Sequence, residues 1–546
     1  MNIKALILCA VFSAGMLSSC GNKDRGSGTG HMYDLSLLGN PGSLDPQYAD
    51  DPSACTVIRN MYSGLLESDA NGNISCRNAA SYSVSPDGLT YTFELREDNF
   101  WFFDENNDDV ISENEYFPVT ADDYVFAFRR ILDPQMQSPY AQDFSCILNG
   151  RDIISGKEFP EKAGVYAPDS KTLIISLEYP SAEFLGLLTT TAAMPCNRDF
   201  FYATSGRYGL DDRSVMSNGS FYVRQWFYDP YGSNNILYMK KNAPNSREDR
   251  PVCPSFLNFT IEKKESDIKK LMKESDTECM TTLDVSDVSK NTCNIYGSRS
   301  VTLGLVFNKD NRYLSNMQLR KALAFAIDRE GIIDAKKTGD ISPAYGIIPP
   351  AVAVLGRSYR EMASDNQFAC FDKDEAARCY QVAMAELYAD TPEELSVMIC
   401  AGTVDPVYIQ NLSQNWLSCL GCTIGLDEVT QEEFYSRIDS GDYSIALYPV
   451  RGKNCSGLAA AEEFEQTECL RKAAGKEGFS VKIRKCADIS GLVDQYAAFE
   501  RDVIGQYCFV PLFYKNTYLV SKKDNEDIKY EPFSGALDFT DAKNYR

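Results

Sequence analysis

The chain has 546 residues, more than one hydrophobic core ordinarily supports, so two or three lobes are expected. Apolar residues make up 44%, charged residues 24% and aromatic residues 12%, a globular balance that excludes a disordered chain or a coiled coil. Acidic residues outnumber basic ones by 77 to 54, and the resulting −23 repels nucleic acid, so no nucleic-acid partner is expected.

At the amino terminus, Lys4, the apolar run 5–12 and the small residues leading to Leu17-Ser18-Ser19-Cys20 form an export signal over residues 1–19 that ends in a lipobox. The run is too short to cross a bilayer as a stable helix. Cys20 then becomes the lipid-bearing mature terminus; the other reading is an ordinary signal peptide cut elsewhere. Residues 20–30, ending GNKDRGSGTG, are a polar spacer that lets a folded body swing above its anchor. The expected location is the outer face of the cell membrane or the periplasm, with the membrane reached through lipid.

Setting Cys9 and Cys20 aside leaves 16 of the 18 cysteines, an even number in an exported chain. Disulfides are permitted there, and small buried apolar thiols are the alternative. Cys419-x-x-Cys422 lacks a second such pair and a histidine partner, which argues against zinc or redox chemistry. The one histidine, His31, stands beside the spacer. No Ser-His-Asp triad, Cys-His pair or histidine-ligated catalytic metal can therefore be assembled in the body. A two-carboxylate hydrolase is the remaining enzyme reading, but no acidic pair stands out by spacing, and the protein is not expected to be an enzyme.

Along the body, residues 33–38 alternate like a strand and run into turns at Pro41-Gly42 and Asp45-Pro46. A helix ends near Tyr62-Ser63-Gly64, and residues 84–96 read as a tight turn at Asp87-Gly88 followed by a strand. Thr120 to Asp123 caps a helix carrying Tyr124, Phe126, Phe128 and Ile131. A second turn and strand occupy 167–177, and strands follow at 218–223 and 236–239. Beyond residue 301 the pattern becomes mixed, with helices at 317–326 and 374–387 and strands at 395–400 and 443–447. This order predicts mixed α/β lobes.

Seven pieces in this order carry a family resemblance: Ser43-Leu44-Asp45-Pro46, residues 84–96, residues 119–134 with Ser138-Pro139-Tyr140-Ala141, Ser217-Asn218-Gly219-Ser220-Phe221, Asn308, residues 320–329, and residues 343–350. They resemble the family 5 extracellular solute-binding proteins, the oligopeptide receptors of ABC importers. The resemblance implies a two-lobed α/β clamp of the periplasmic-binding-protein type, with mixed sheets, discontinuous lobes and two hinge strands. Lobe I takes residues 31–53, 178–300 and 513–546, an additional domain takes 54–177, and lobe II takes 301–512. Its partners would be a small solute, peptide in most relatives, and the permease and ATPase of an ABC transporter, with the receptor itself a monomer. A surface sensor or adhesin on the same fold and an oligosaccharide receptor are the rival readings.

In the peptide-binding relatives the peptide lies as an added strand held through its backbone. The equivalent edges implied here are Asn40, Pro41 and Gly42 on one side and residues 447–453 on the other, with Leu447, Tyr448, Val450, Arg451 and Lys453 at the ligand and Tyr514 adding aromatic contact. Those relatives place a Trp and then an ammonium-binding Asp after the second strand, where this chain reads Tyr448-Pro449-Val450-Arg451-Gly452-Lys453-Asn454. Two cations in place of the acid predict a ligand neutral or anionic at that end.

Where relatives have a short Asp-Gly turn, this chain inserts the acidic stretch 104–115. Oxygen side chains stand at EF-hand spacing, which predicts a structural calcium ion (Ca2+) held by Asp104, Asn106, Asp108, the Val110 carbonyl, Ser112 and Glu115. Asp109 occupies the position where the EF-hand loop has glycine, and the other reading is a solvated acidic turn.

Overall fold

The computed structural model describes residues 28–69, 72–106, 108, 111–334, 339–354, 356–363 and 370–545. The expected signal, the Cys20 anchor and Val110 lie outside these. Among the described residues no helix is long and apolar enough to cross a membrane, and Cys55, Cys146 and the 14 other cysteines stand as free thiols, most of them buried.

Two sheets build the first body. In one, the strand Met32–Leu38 pairs in parallel with Phe256–Glu262, which continues antiparallel through Ile236–Lys241 to Phe221–Phe227. The period-two pattern seen in the sequence puts Tyr33, Leu35 and Leu37 inside. The other sheet is antiparallel, in the order Ala79–Val84, Thr90–Leu95, Thr172–Ser176, Val165–Tyr166. Its first turn works as the sequence suggests, with Gly88 in the left-handed region at φ +71 and Asp87 accepting the Leu89 amide. The helix Ala121–Leu132 covers this sheet and opens on a Thr120/Asp123 capping box. Side chains of both sheets meet in one contiguous core, from Tyr33 and Leu257 to Phe93 and Leu173.

The second body surrounds a larger sheet ordered Cys279–Thr282, Phe509–Lys522, Cys293–Phe307, Ile445–Val450, Ser396–Cys400, Gly425–Val429. Alternation along its strands feeds two cores. Val306, Ala446, Tyr448 and Val450 face the helices Gly457–Gln466 and Ile489–Ile504, while Leu303, Leu305, Ile445 and Leu447 face Met317–Phe325 and Pro406–Leu420. The family-like stretch at 343–350 is fixed from this side. Glu500, fully buried, accepts the amides of Ile347 and Ile348 and pairs with Arg360.

Cys293–Phe307 and Phe509–Lys522 are long enough to belong to both bodies. Their near ends, with Cys293, Tyr518 and Val520, pack on the helix Glu265–Glu274 beside the first body, and their far ends enter the second. Between them Tyr296, Gly297 and Arg299 are exposed, and the register slips between Arg299 and Val301 opposite Asn516 and Lys515. A bulge there bends the ladder without breaking it.

Three of the family-like motifs form one device. Asp45 and Gln47 both accept from the buried Arg130 of Ala121–Leu132, whose guanidinium also lies 4.2 Å from the Phe201 ring. Ser138 donates to the Gln47 carbonyl and Tyr140 to that of Ala49, at 2.7 and 2.6 Å. The segment 43–50 is thus clamped just before the helix Pro52–Met61. Asn218 grips the other end of that helix through both backbone groups of Ser63. A Cβ at Gly219 would come within 2.6 Å of Met61 and Tyr62 backbone, which accounts for glycine there.

Asp45→Ala leaves Arg130 charged, buried and without its acid, and should lower stability by about 3–5 kcal/mol in denaturant titration. A loss under about 1 kcal/mol, the level of an exposed pair, would contradict the clamp.

Candidate functional site

A cleft of about 990 Å³ opens where the two bodies face each other. Its volume suits a small extended ligand, for which pockets run to roughly 300–1,000 Å³. The middle of the hinge strands forms its floor, through the exposed Tyr296 and Gly297 with Ser298 and beside them the buried Leu519 and Ser521. The first body contributes Asp50, Pro52 and Cys55 from the clamped helix start and Arg59 from the last turn of that helix, with Tyr140, Asp143 and Thr189 to Thr191. The second contributes Ala351, Ala353 and the loop Gly452 to Cys455, and residues 525–541 close one side.

Of the residues expected at the ligand, Lys453 lines this cleft, on an exposed loop. Asn40, Pro41 and Gly42 lie outside its lining: Asn40 accepts from Trp226 Nε1 at 2.8 Å, Pro41 is buried, and the Gly42 amide faces Asp51. The first-body segment that reaches the cleft is instead the one around Asp50 and Pro52. Leu447 and Val450 are fully buried, Tyr448 nearly so, each with its side chain in a core. The backbone at 447–450 pairs with 302–305 on one side, while the other edge is laddered at Ile445 and Ala446. Arg451 is exposed, and its amide and that of Gly452 donate to Glu463 at 3.0 Å. Tyr514 is buried with its hydroxyl against Gly346.

Acidic side chains dominate the lining, yet most have protein partners. Glu67 takes Arg77 and Arg250 at 2.9 and 2.6 Å, and Asp541 takes Lys529 and Arg250 at 2.7 and 3.3 Å. Burial opposes the charge of both, but these cations outweigh it and hold each carboxyl below its ordinary value. Glu531 accepts the amides of Phe533 and Ser534. Asp143 is pushed up by burial, against the pull of Arg484 and Lys453.

The bodies also touch directly beside the cleft. Arg484, ion-paired with Glu462, donates to the Asp143 carbonyl at 3.1 Å, and the Ala182 amide donates to the Cys486 carbonyl at 2.8 Å. Tyr496 donates to the buried Glu183, whose carboxyl burial pushes upward.

The acidic insertion connects two short paired strands, Phe100–Phe102 and Tyr116–Pro118, and is not part of the cleft lining. Asp104 and Glu115 are buried. Glu115 accepts the Ser112 amide at 2.9 Å and faces the Asn106 amide at 3.5 Å, and Asp104 accepts the Asp108 amide at 3.2 Å. Arg213 donates to the carbonyls of Asp104 and Glu105, so a protein cation already sits on the loop. Among the described residues, no group of three or more His, Cys, Asp or Glu is placed to hold a metal ion.

A floor of hinge strands under a cleft between two bodies is the arrangement of a solute receptor, and residues 74–457 match the family described as bacterial extracellular solute-binding proteins, family 5 Middle. The chain belongs to this family. Family 5 is a family of solute-binding proteins and not of enzymes. The oligopeptide-binding protein OppA of Bacillus subtilis is 26% identical over 447 residues, 79% of this chain and 78% of its own length. The periplasmic OppA of Salmonella typhimurium is 22% identical over 535 residues, 94% and 93% of the two chains. Among solved structures, Listeria monocytogenes OppA bound to peptide superposes with a TM-score of 0.66 at 21% identity, covering 95% of this chain and 99% of that one. The Escherichia coli murein tripeptide-binding protein MppA gives 0.67 at 18% identity, covering 95% and 100%. These likenesses establish the α/β two-lobed fold with its mixed sheets and discontinuous lobes.

Proposed function

We propose that this protein captures short peptides in the cleft by closing its two bodies over them, and hands them to the permease and ATPase of an ABC importer. The cleft floored by the two hinge strands carries this reading. It offers a ligand groups from both bodies, so closing gains contacts that the open form lacks. The relatives that share the fold over most of its length are named for binding oligopeptides, dipeptides or a murein tripeptide. The exposed hinge residues on the cleft floor and the loop Gly452 to Cys455 provide main-chain groups of the kind that hold a peptide as an added strand.

Protein stripped of ligand by unfolding and refolding should be stabilised by an equimolar pool of peptides two to five residues long. Saturation at 100 times the dissociation constant would contribute about 2.7 kcal/mol, read as a higher melting temperature. A shift with a pool of oligosaccharides and none with peptides would replace peptide by sugar as the solute.

Delivery to a permease also needs the receptor kept near the membrane, and the proposed anchor is lipid on Cys20. Cys20→Ala should move the exported protein from the detergent phase to the aqueous phase on phase partitioning; equal partitioning of both forms would remove the anchor.

A further inference from the structure

Arg59 stands in the last turn of Pro52–Met61, half-buried and lining the cleft. Its Nε is buried without a hydrogen-bond partner, and among the described residues its guanidinium enters no hydrogen bond or ion pair. Neighbouring guanidinium groups are treated differently. Arg77 is shared among Glu67, Ser63, Ser220 and Thr540, and Arg250 bridges Glu67 and Asp541. A guanidinium has five N–H donors and stays charged, so partly burying one with no acceptor is unfavourable unless something outside the protein supplies it.

The acids near Arg59 do not fill that role: Asp50 and Asp51 act with it on the Cys55 thiol, but neither forms an ion pair with it, and Asp51 accepts the Ala54 amide as the helix cap. Glu531 shares its surroundings, since both charges act on the thiols of Cys55 and Cys455, but the Glu531 carboxylate is taken by the amides of Phe533 and Ser534. Cys455 belongs to the opposite wall. Burial pushes its thiol up to about 12 while Arg59 pulls it down, so the Arg59 charge reaches across to the second body. On that wall Lys453 is exposed and likewise forms no ion pair. Acids lie within reach of both charges, Asp143 by Lys453 and Asp50 in the same lining, yet among the described residues neither cation is taken into an ion pair, and the two face one cleft from two bodies.

We propose that Arg59 is a specificity-determining residue that holds an anionic group of the bound solute, the terminal carboxylate of a peptide, with Lys453 approaching the same group from the second body. An anion gripped from both sides favours the closed form over the open one, because the Lys453 contact adds to that of Arg59 when the bodies meet. The inference rests on the reading that the cleft takes peptides.

The test uses the refolded full chain and an equimolar library of peptides of two to five residues, each present as the free acid and as the carboxy-terminal amide. Retained peptides are identified by mass spectrometry after washing. Wild type should retain acids over amides by about tenfold, the scale of one charge-assisted contact. Arg59→Gln should abolish the preference while still retaining peptides, and Arg59→Lys should restore part of it. Without peptide, Arg59→Gln should melt no lower than wild type, because an unpartnered charge has been removed; a structural role for Arg59 predicts a lower melting temperature. Equal retention of acids and amides by wild type, or an unchanged preference in Arg59→Gln, overturns the role of Arg59 and leaves peptide binding standing. Retention of neither form by wild type overturns both.

Discussion

The pairing of Cys293–Phe307 with Phe509–Lys522 is the constraint on which the rest of this molecule depends. One antiparallel ladder contributes to two separate bodies, so their relative position is set by how that ladder bends. The bulge at Arg299 and Val301 places the bend at the margin of the second body's core, which takes Val301, with the exposed Tyr296, Gly297 and Arg299 on the near side. A hinge of this kind can flex while each core stays intact, because packed cores resist deformation far more than a two-stranded ribbon in solvent. The cleft lies directly above it, so any ligand there senses the bend.

Much of the fold was legible because local chemistry and tertiary structure agree. The alternation at 33–38, the Asp87-Gly88 turn and the Thr120/Asp123 cap each specify their element through the backbone. Mixed lobes beyond residue 301 were likewise readable from period. The hinge strands were not, since a strand that passes from one core to another carries no signal at the crossing. The roles of the motifs were also hidden: Asp45, Arg130, Ser138 and Tyr140 lie tens of residues apart, and only folding joins them into the clamp on 43–50.

The site was less legible than the fold. Asn40 to Gly42 follow the first strand, but the clamp carries the chain past them and delivers Asp50 and Pro52 to the cleft instead. Leu447, Tyr448 and Val450 look like ligand contacts by analogy, whereas alternation turns their side chains into cores and leaves Lys453, beyond the strand end, facing the cleft. Arg59 gave no signal in sequence. A basic residue in the last turn of a helix is explained by the helix dipole alone. Its missing partner becomes visible only when every neighbour is in place.

Small-angle scattering of the full chain, with and without a saturating pool of short peptides, tests the central claim of closure about the hinge strands. The account predicts a smaller radius of gyration with peptide, together with a more compact distance distribution. Peptide retained in the cleft with an unchanged radius would contradict it, because the two bodies would then bind without moving toward each other.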